Sequence, residues 1–380
     1  MGCFFEKRST SFTVSVDYHV RNTQIIRGQS LHMSSGHRSL YRPVILFLLC
    51  AIFLAAGTCI VWAHAPLSVG SNEGIAGATL ISSPEKSFVL YTALDEHGGA
   101  QYYRFPMQQG QILYGSLQVP GPDSAVPDLV IIGPGIEPTG NVPASLEVPA
   151  GSGAMLVQGK TPGKPSYEPF SPQPIYEVAR FNITVPRNSD YYIAVIGPGE
   201  AKYSLAPGFR EEFTAAEWLL VPWSVISIHF WEGQTPAAVF APGIIIVVGG
   251  LVLAVLYRKN LGGLMQDPVN WLILLSGLLY LGGAAMTGLQ IVHTVLLTGY
   301  SSGVVLTLLF IAGPLILGIL AVRAGIRSPG PDHSLMSGFW MAVIGILGLL
   351  LWAGLLVGPL LALAASVISL VRTAGSPRTA

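Results

Sequence analysis

Apolar and polar positions divide the chain into three regimes. An unbroken apolar run, VILFLLCAIFLAAGTCIVWA, fills Val44 to Ala63. From Pro66 to about Glu212 apolar residues alternate with polar ones or cluster over strand lengths. Past Pro236 they return as runs long enough to span a bilayer. In the middle regime SFVLYTAL (Ser87 to Leu94), QYYRFPM (Gln101 to Met107), QILYGSLQV (Gln111 to Val119), DLVIIG (Asp128 to Gly133), YEVARFNITV (Tyr176 to Val185) and DYYIAVIG (Asp190 to Gly197) each read as a strand. Gly, Pro, Asn or Asp bounds every one of them, and EAKYSLAPG supplies one more short strand. Short strands at this spacing, joined by turns, predict an antiparallel β-sandwich.

The tetrapeptide IGPG occurs twice, at Ile132 to Gly135 and at Ile196 to Gly199. A phosphate cradle needs successive backbone N–H groups with a helix N-terminus behind them. Pro134 and Pro198 each remove one N–H, and neither tetrapeptide is followed by a helical pattern. Both therefore read as punctuation that ends a strand, with glycine permitting positive φ.

In the third regime Pro236 to Tyr257, Asn270 to Leu296 and Val304 to Val322 are full spans. Met336 to Val371 would be roughly 54 Å long as one helix, too long for a core of about 30 Å. It must bend, and Gly358-Pro359 is the expected break, giving five spans; one span with an amphipathic tail gives four. Ahead of these lies FTAAEWLLVPWSVISIHFWEGQ, whose Trp218, Trp223 and Trp231 suit an interface. Pro222 is expected to break it into a helix or helix pair on the outer surface. Arg258, Lys259, Arg323 and Arg327 fall on one side of the spans, which places Pro66 to Gln234 outside. Gly354-x-x-x-Gly358 and the small residues Gly282 to Ala285 suggest close packing within the bundle.

Composition agrees with this pattern: the chain is 51% hydrophobic and only 11% charged. A formal net charge of zero leaves no basic field to attract nucleic acid, so no nucleic-acid partner is expected. Cysteine occurs only at Cys3, Cys50 and Cys59, which excludes disulfides and cysteine-ligated metal from the remainder. Arg38 and Arg42 before the first apolar run, and Ala63-His64-Ala65 after it, fit an export signal cleaved at an A-x-A site, with an uncleaved anchor as the alternative.

Within the exported region the order QYYRFPMQQGQILYGSLQVP, PDLVIIGPG and ARFNITVPRNSDYYIAVIGPGEAKYSLAPG resembles the bacterial pre-peptidase C-terminal (PPC-like) β-sandwich. The resemblance covers about Gln101 to Pro207 and implies an accessory surface module with no catalytic residues. The Pro-rich insertion KTPGKPSYEPFSPQPIYE, Lys160 to Glu177, departs from it and reads as an exposed loop of polyproline character.

Candidate chemistry is sparse. The exported region holds neither G-x-S-x-G nor H-E-x-x-H, so no enzyme and no cofactor are expected. Asn182-Ile183-Thr184 is a glycosylation sequon at Asn182, inside a predicted strand. Asp123, Asp128 and Glu137 are oxygen donors of one loop system, read as solvated carboxylates rather than a Ca²⁺ site. His293 and Gln290 share one face of a span, a haem, metal or proton-relay candidate set against an interfacial hydrogen bond. Cleavage after Ala63 would begin the chain His64-Ala65-Pro66, a Cu(II) donor set faintly similar to periplasmic copper-binding proteins of the CopC type. His97 or His229 would complete that set.

The sequence thus predicts a multidomain membrane protein: an antiparallel β-sandwich ectodomain followed by an α-helical transmembrane bundle. Residues 1–65 are the extension and signal, 66–212 the sandwich, 213–235 an aromatic linker, 236–372 the bundle and 373–380 a tail. The expected location is the cell membrane, multi-pass, with the ectodomain extracellular. The expected partners are the lipid bilayer and a protein or envelope component, in a non-enzymatic binding or assembly role. A copper-handling protein or a transporter component is the alternative.

Overall fold

Two β-sheets occupy the first part of the described chain, and apolar helices occupy the second. The computed structural model describes residues 65–67, 72–257, 267–327 and 335–375. The export segment, His64, the three cysteines, Arg258 and Lys259 lie outside the described residues. One sheet orders β1 (Ala65–Leu67), β3 (Phe88–Leu94), β11 (Ala201–Pro207), β5 (Ile112–Val119), β9 (Gln173–Thr184) and β8 (Ser166–Glu168). The other orders β2 (Thr79–Leu80), β4 (Gly99–Met107), β10 (Ser189–Gly197), β6 (Asp128–Gly133) and β7 (Gly153–Val157).

Every strand expected from the alternation is present. Pairing is antiparallel except at two short edges, where β1 and β2 run parallel to β3 and β4. Period-two patterning explains the core. Leu90, Leu113, Leu117, Phe181, Tyr203 and Leu205 from the first sheet share one buried cluster with Tyr103, Phe105, Leu129, Ile131, Tyr191 and Ile193 from the second. The phenols of Tyr103 and Tyr203 meet inside it at 2.7 Å, so each polar tip has a partner. Burial pushes the Tyr103 phenol up to about 12. The far side of the second sheet is covered too: Tyr102, Val130, Ile132 and Ala194 pack under Ile75, Val142 and Leu146.

The first IGPG ends β6 in a tight turn, with Gly135 at φ +77° and Ile136 N–H donating to Gly133 O. Tyr191 Oη closes the turn by donating to the Pro134 carbonyl at 3.0 Å. The second IGPG ends β10 without positive φ at either glycine. The motif is therefore two different strand endings with one spelling.

Among the described residues six α-helices follow: α1 (Ala215–Trp231), α2 (Pro236–Tyr257), α3 (Pro268–Thr298), α4 (Gly303–Arg327), α5 (Leu335–Leu350) and α6 (Val357–Gly375). Four helical stretches among the described residues are long and apolar enough to cross a membrane: Pro236–Tyr257, Pro268–Thr298, Gly303–Arg327 and Ala353–Ala374. The apolar α5 is shorter. Tyr280 of α3 is fully buried, donates to Ile344 O of α5 at 3.2 Å, and lies against Gly348, Gly354 and Gly358. Gly243 and Gly282 bring α2 and α3 into backbone contact. These glycines thus serve packing inside the bundle.

The helices depart from the sequence expectation at two prolines. The last apolar block does bend, but the break is Trp352 to Leu356, where Trp352, Gly354, Leu355 and Leu356 all have positive φ. Pro359 instead lies in the first turn of α6, where a missing N–H costs no hydrogen bond. Pro222 does not break the aromatic segment, for α1 runs continuously through it. Lacking an N–H, Pro222 leaves the Trp218 carbonyl four residues earlier without its helical donor. Trp352 Nε1 donates to that carbonyl at 2.8 Å, and the two indoles pack at 4.4 Å. The helix break and the helix proline therefore satisfy each other.

The Pro-rich insertion is likewise not a free loop. Its first half is largely exposed, but Glu168 to Pro174 is mostly buried, because the β8–β9 turn rests on the helices. Tyr167 Oη donates to Thr307 Oγ1 at 2.8 Å, Thr307 Oγ1 donates to Pro169 O at 2.6 Å, and Thr294 Oγ1 donates to Pro172 O at 2.7 Å. The outer side of the first sheet sits on α1. Trp231 Nε1 donates to Thr92 O at 3.2 Å, and Lys86 pairs with Glu217 at 2.7 Å. Thr214 caps α1 reciprocally with Glu217. All described residues lie in one compact unit.

Two predictions follow from this framework, both read by unfolding of the full-length chain in detergent. Gly135→Ala loses about 1–2 kcal/mol, because alanine is strained at that φ and its Cβ would fall 2.7 Å from Pro186 Cγ; Gly199→Ala, with only ordinary contacts, changes stability by less than about 0.5 kcal/mol. Trp352→Phe costs about 1–3 kcal/mol by orphaning the Trp218 carbonyl. The same substitution costs less on a Pro222→Ala background, where a backbone N–H can reach that carbonyl, and equal costs on both backgrounds would refute the assignment.

Candidate functional site at the junction of sheets and helices

The β8–β9 turn, α1, α3, α4 and the Trp352 break meet around a cavity of about 90 Å³. Its walls are mostly apolar, with Phe170, Val225, Phe310, Met286 and Trp352 prominent. Phe310 stacks on Trp352 at 4.7 Å, and Phe170 closes on both rings at about 6 Å. One end is polar, where His229, Thr287 and Gln290 line it.

Helical spacing assembles that polar end. His229 in the last turn of α1 and Glu232 just after it are three residues apart, and Nδ1 meets Oε2 at 3.0 Å. Both side chains are more than nine-tenths buried. Gln234 Nε2 donates to Glu232 Oε2 at 3.2 Å and to Gln290 Oε1 at 3.0 Å, while Gln290 Nε2 donates to Gln234 Oε1 at 2.8 Å. The reciprocal amide pair ties the end of α1 to α3. Glu232 Oε1 is buried with no hydrogen-bond partner among the described residues, a costly arrangement that marks the place as polar and unsatisfied.

A second buried carboxyl lies on the sheet side. Glu168 lines a smaller cavity of about 30 Å³ with Tyr91, Gln173 and Ser224. Burial pushes its carboxyl up to about 8 against the Phe170 N–H that donates to it at 3.2 Å, and Glu211 adds to the rise. Tyr91, which accepts from Gln173 at 2.9 Å, is also pushed upward by burial.

The three described histidines among those named from sequence do not converge. His97 is exposed in the β3–β4 connection, and its N–H donates to Asp95. His293 is exposed on α3, whereas its neighbour Gln290 turns inward to Gln234. Of these three, His229 alone is buried. Among the described residues no group of three or more His, Cys, Asp or Glu side chains is placed to hold a metal ion. Asp128 is engaged by the Gly159 N–H at 2.7 Å. Asn182 is exposed on β9 opposite Tyr114, so its sequon faces outward from a strand.

Sequence reasoning listed His229 for a different task and missed Glu232, Gln234 and Glu168. The i,i+3 spacing of His229 and Glu232 beside a buried helix end was the available signal. Comparison of the chain with protein-family models and with curated proteins returns no match.

Glu168 generates a pH prediction. A carboxyl with a raised folded pKa holds its proton where the unfolded chain has released it. Its contribution is complete below the unfolded value near 4.5 and is lost as pH rises to about 8. Across that window stability falls by up to about 1.4 kcal/mol per pH unit. Glu168→Gln, measured by unfolding as a function of pH, should flatten this decline; an unchanged pH slope would refute it.

Proposed function

We propose that this chain is a multi-pass membrane protein that carries a β-sandwich of the PPC-like kind on the outer face of its helical bundle. The sandwich is a rigid, non-enzymatic surface for binding a protein or envelope component. The observation that carries the proposal is the way the sheets are fastened to the helices. Tyr167, Thr294 and Trp231 each make a hydrogen bond between the β region and the helices, from three separate elements. A module tethered by a flexible linker needs no such contacts; one that must hold a fixed orientation relative to the membrane does.

Two further features support the reading. The helices expose apolar side chains such as Ile245, Leu253, Leu256 and Leu296, which lipid would cover. Arg323, Arg327 and Arg372 sit towards the helix ends away from the sheets, and Arg372 pairs with Asp267 at the start of α3 at 2.8 Å. Cations gathered at that end support a cytoplasmic placement for it, with the sheets on the outer side in this reading.

On a cysteine-free background, a membrane-impermeant maleimide should label Asn182→Cys in intact cells and Arg327→Cys only after permeabilisation. The opposite pattern would invert the topology. Purification of the intact protein from its native membrane should then bring down a stoichiometric protein or envelope partner; a stoichiometric transition metal in its place would overturn the binding role.

A further inference from the structure

The junction cavity does not stand alone. Beside it, on the flank of the bundle, is an apolar groove of about 280 Å³ between α2, α3 and the break before α6. Phe240, Ile244 and Val247 form one wall, and Leu279 and Met286 the other. Gly283, Met286 and Leu355 line both groove and cavity, so the two share a boundary. The groove is lined almost entirely by carbon, and the cavity beyond it ends at His229, Thr287 and Gln290.

Its occupant must match that gradient. Ile244 and Val248 are exposed along the groove on one of the helices suited to cross a membrane. The material that meets such a face is hydrocarbon. The inner end asks for a different chemistry. Glu232 at Nδ1 of His229 places the ring proton on that nitrogen in the neutral imidazole, so Nε2 is a lone-pair acceptor. Glu232 itself does not line the cavity, so the imidazole is the acceptor that the pair presents there. An occupant that satisfies this end must donate a hydrogen bond.

We propose that groove and cavity together bind a single-chain membrane amphiphile with a hydroxyl head. The chain lies along Phe240, Ile244 and Met286, and the hydroxyl donates at the His229 end. Entry is lateral, from the bilayer, past the break that contains Leu355. The proposal rests on the membrane reading above and adds a ligand class to it. The ligand would stiffen the contact between α1 and α3 that holds the sheets in place.

The full-length protein, reconstituted in phosphatidylcholine vesicles, is photolabelled with hexadecanol carrying a diazirine in its chain, and the adducts are mapped by mass spectrometry. Adducts should concentrate at Phe240, Met286 and Leu355, and unlabelled hexadecanol should compete at least about tenfold better than hexadecane, the worth of one good hydrogen bond to a buried partner. Ile244→Trp, which fills the groove from an exposed position, should remove most of the labelling; Leu253→Trp, exposed on α2 outside the groove, should leave it unchanged. His229→Gln should abolish the preference for the alcohol, and Thr287→Val reads the same end should the first variant unfold. Labelling spread evenly over the exposed faces of α2 and α4, or insensitive to Ile244→Trp, overturns the site. Concentrated labelling with no alcohol preference overturns the hydroxyl head. Alkaline carbonate extraction separates the two levels: release from native membranes would defeat the membrane reading itself, whereas retention with unlocalised label defeats the ligand alone.

Discussion

The hydrogen bond from Trp352 to the Trp218 carbonyl ties α1, the helix on which the first sheet sits, to the break before α6. Two backbone irregularities fall at one depth: a helix that keeps a proline, and a reversal that runs through positive φ at four of five residues. In apolar surroundings each would leave a main-chain polar group unsatisfied, at a cost of about 1–3 kcal/mol or more. Bringing them together supplies the indole of one to the carbonyl of the other. The aromatic rings of Phe170, Phe310 and Trp218 then seal the contact against water, and dispersion over that area adds to it.

The junction follows from that constraint. Because α1 remains one helix through Pro222, its last turn carries His229 to the bundle and Trp231 to β3, on opposite sides of the same element. The β8–β9 turn fills the remaining edge through the carbonyls of Pro169 and Pro172, which are free to accept threonine hydroxyls from α4 and α3. Proline density here is thus a supply of carbonyl acceptors on a stiff backbone. The buried polar groups that result, Glu168 on the sheet side and His229 with Glu232 on the helix side, hold charge or protons at a boundary that is otherwise hydrocarbon and aromatic.

Much of this architecture was legible along the chain. Alternation named the seven main strands, since a half-buried strand must place every second side chain in the core. Run length named three long apolar helices. Four strands escaped notice: β1, β2 and β8 are two or three residues long, below any periodicity, and β7, GAMLV, lies within a glycine-rich stretch. The site was less legible. Glu232 and Gln234 read as the polar end of an interfacial helix, and nothing local says that they face Gln290 rather than solvent.

What the sequence by itself determined was therefore everything set by local period, length and charge: strands, apolar helices, the strand-ending turns and the side on which cations gather. The tertiary structure alone decided three matters: that Pro222 is tolerated, that the Pro-rich insertion is a buried joint, and that His229 turns inward while His97 and His293 do not converge with it. Each of these depends on a partner distant in sequence. A proline's missing donor, a loop's carbonyls or an imidazole's second nitrogen acquires its meaning only from the group the fold places opposite it.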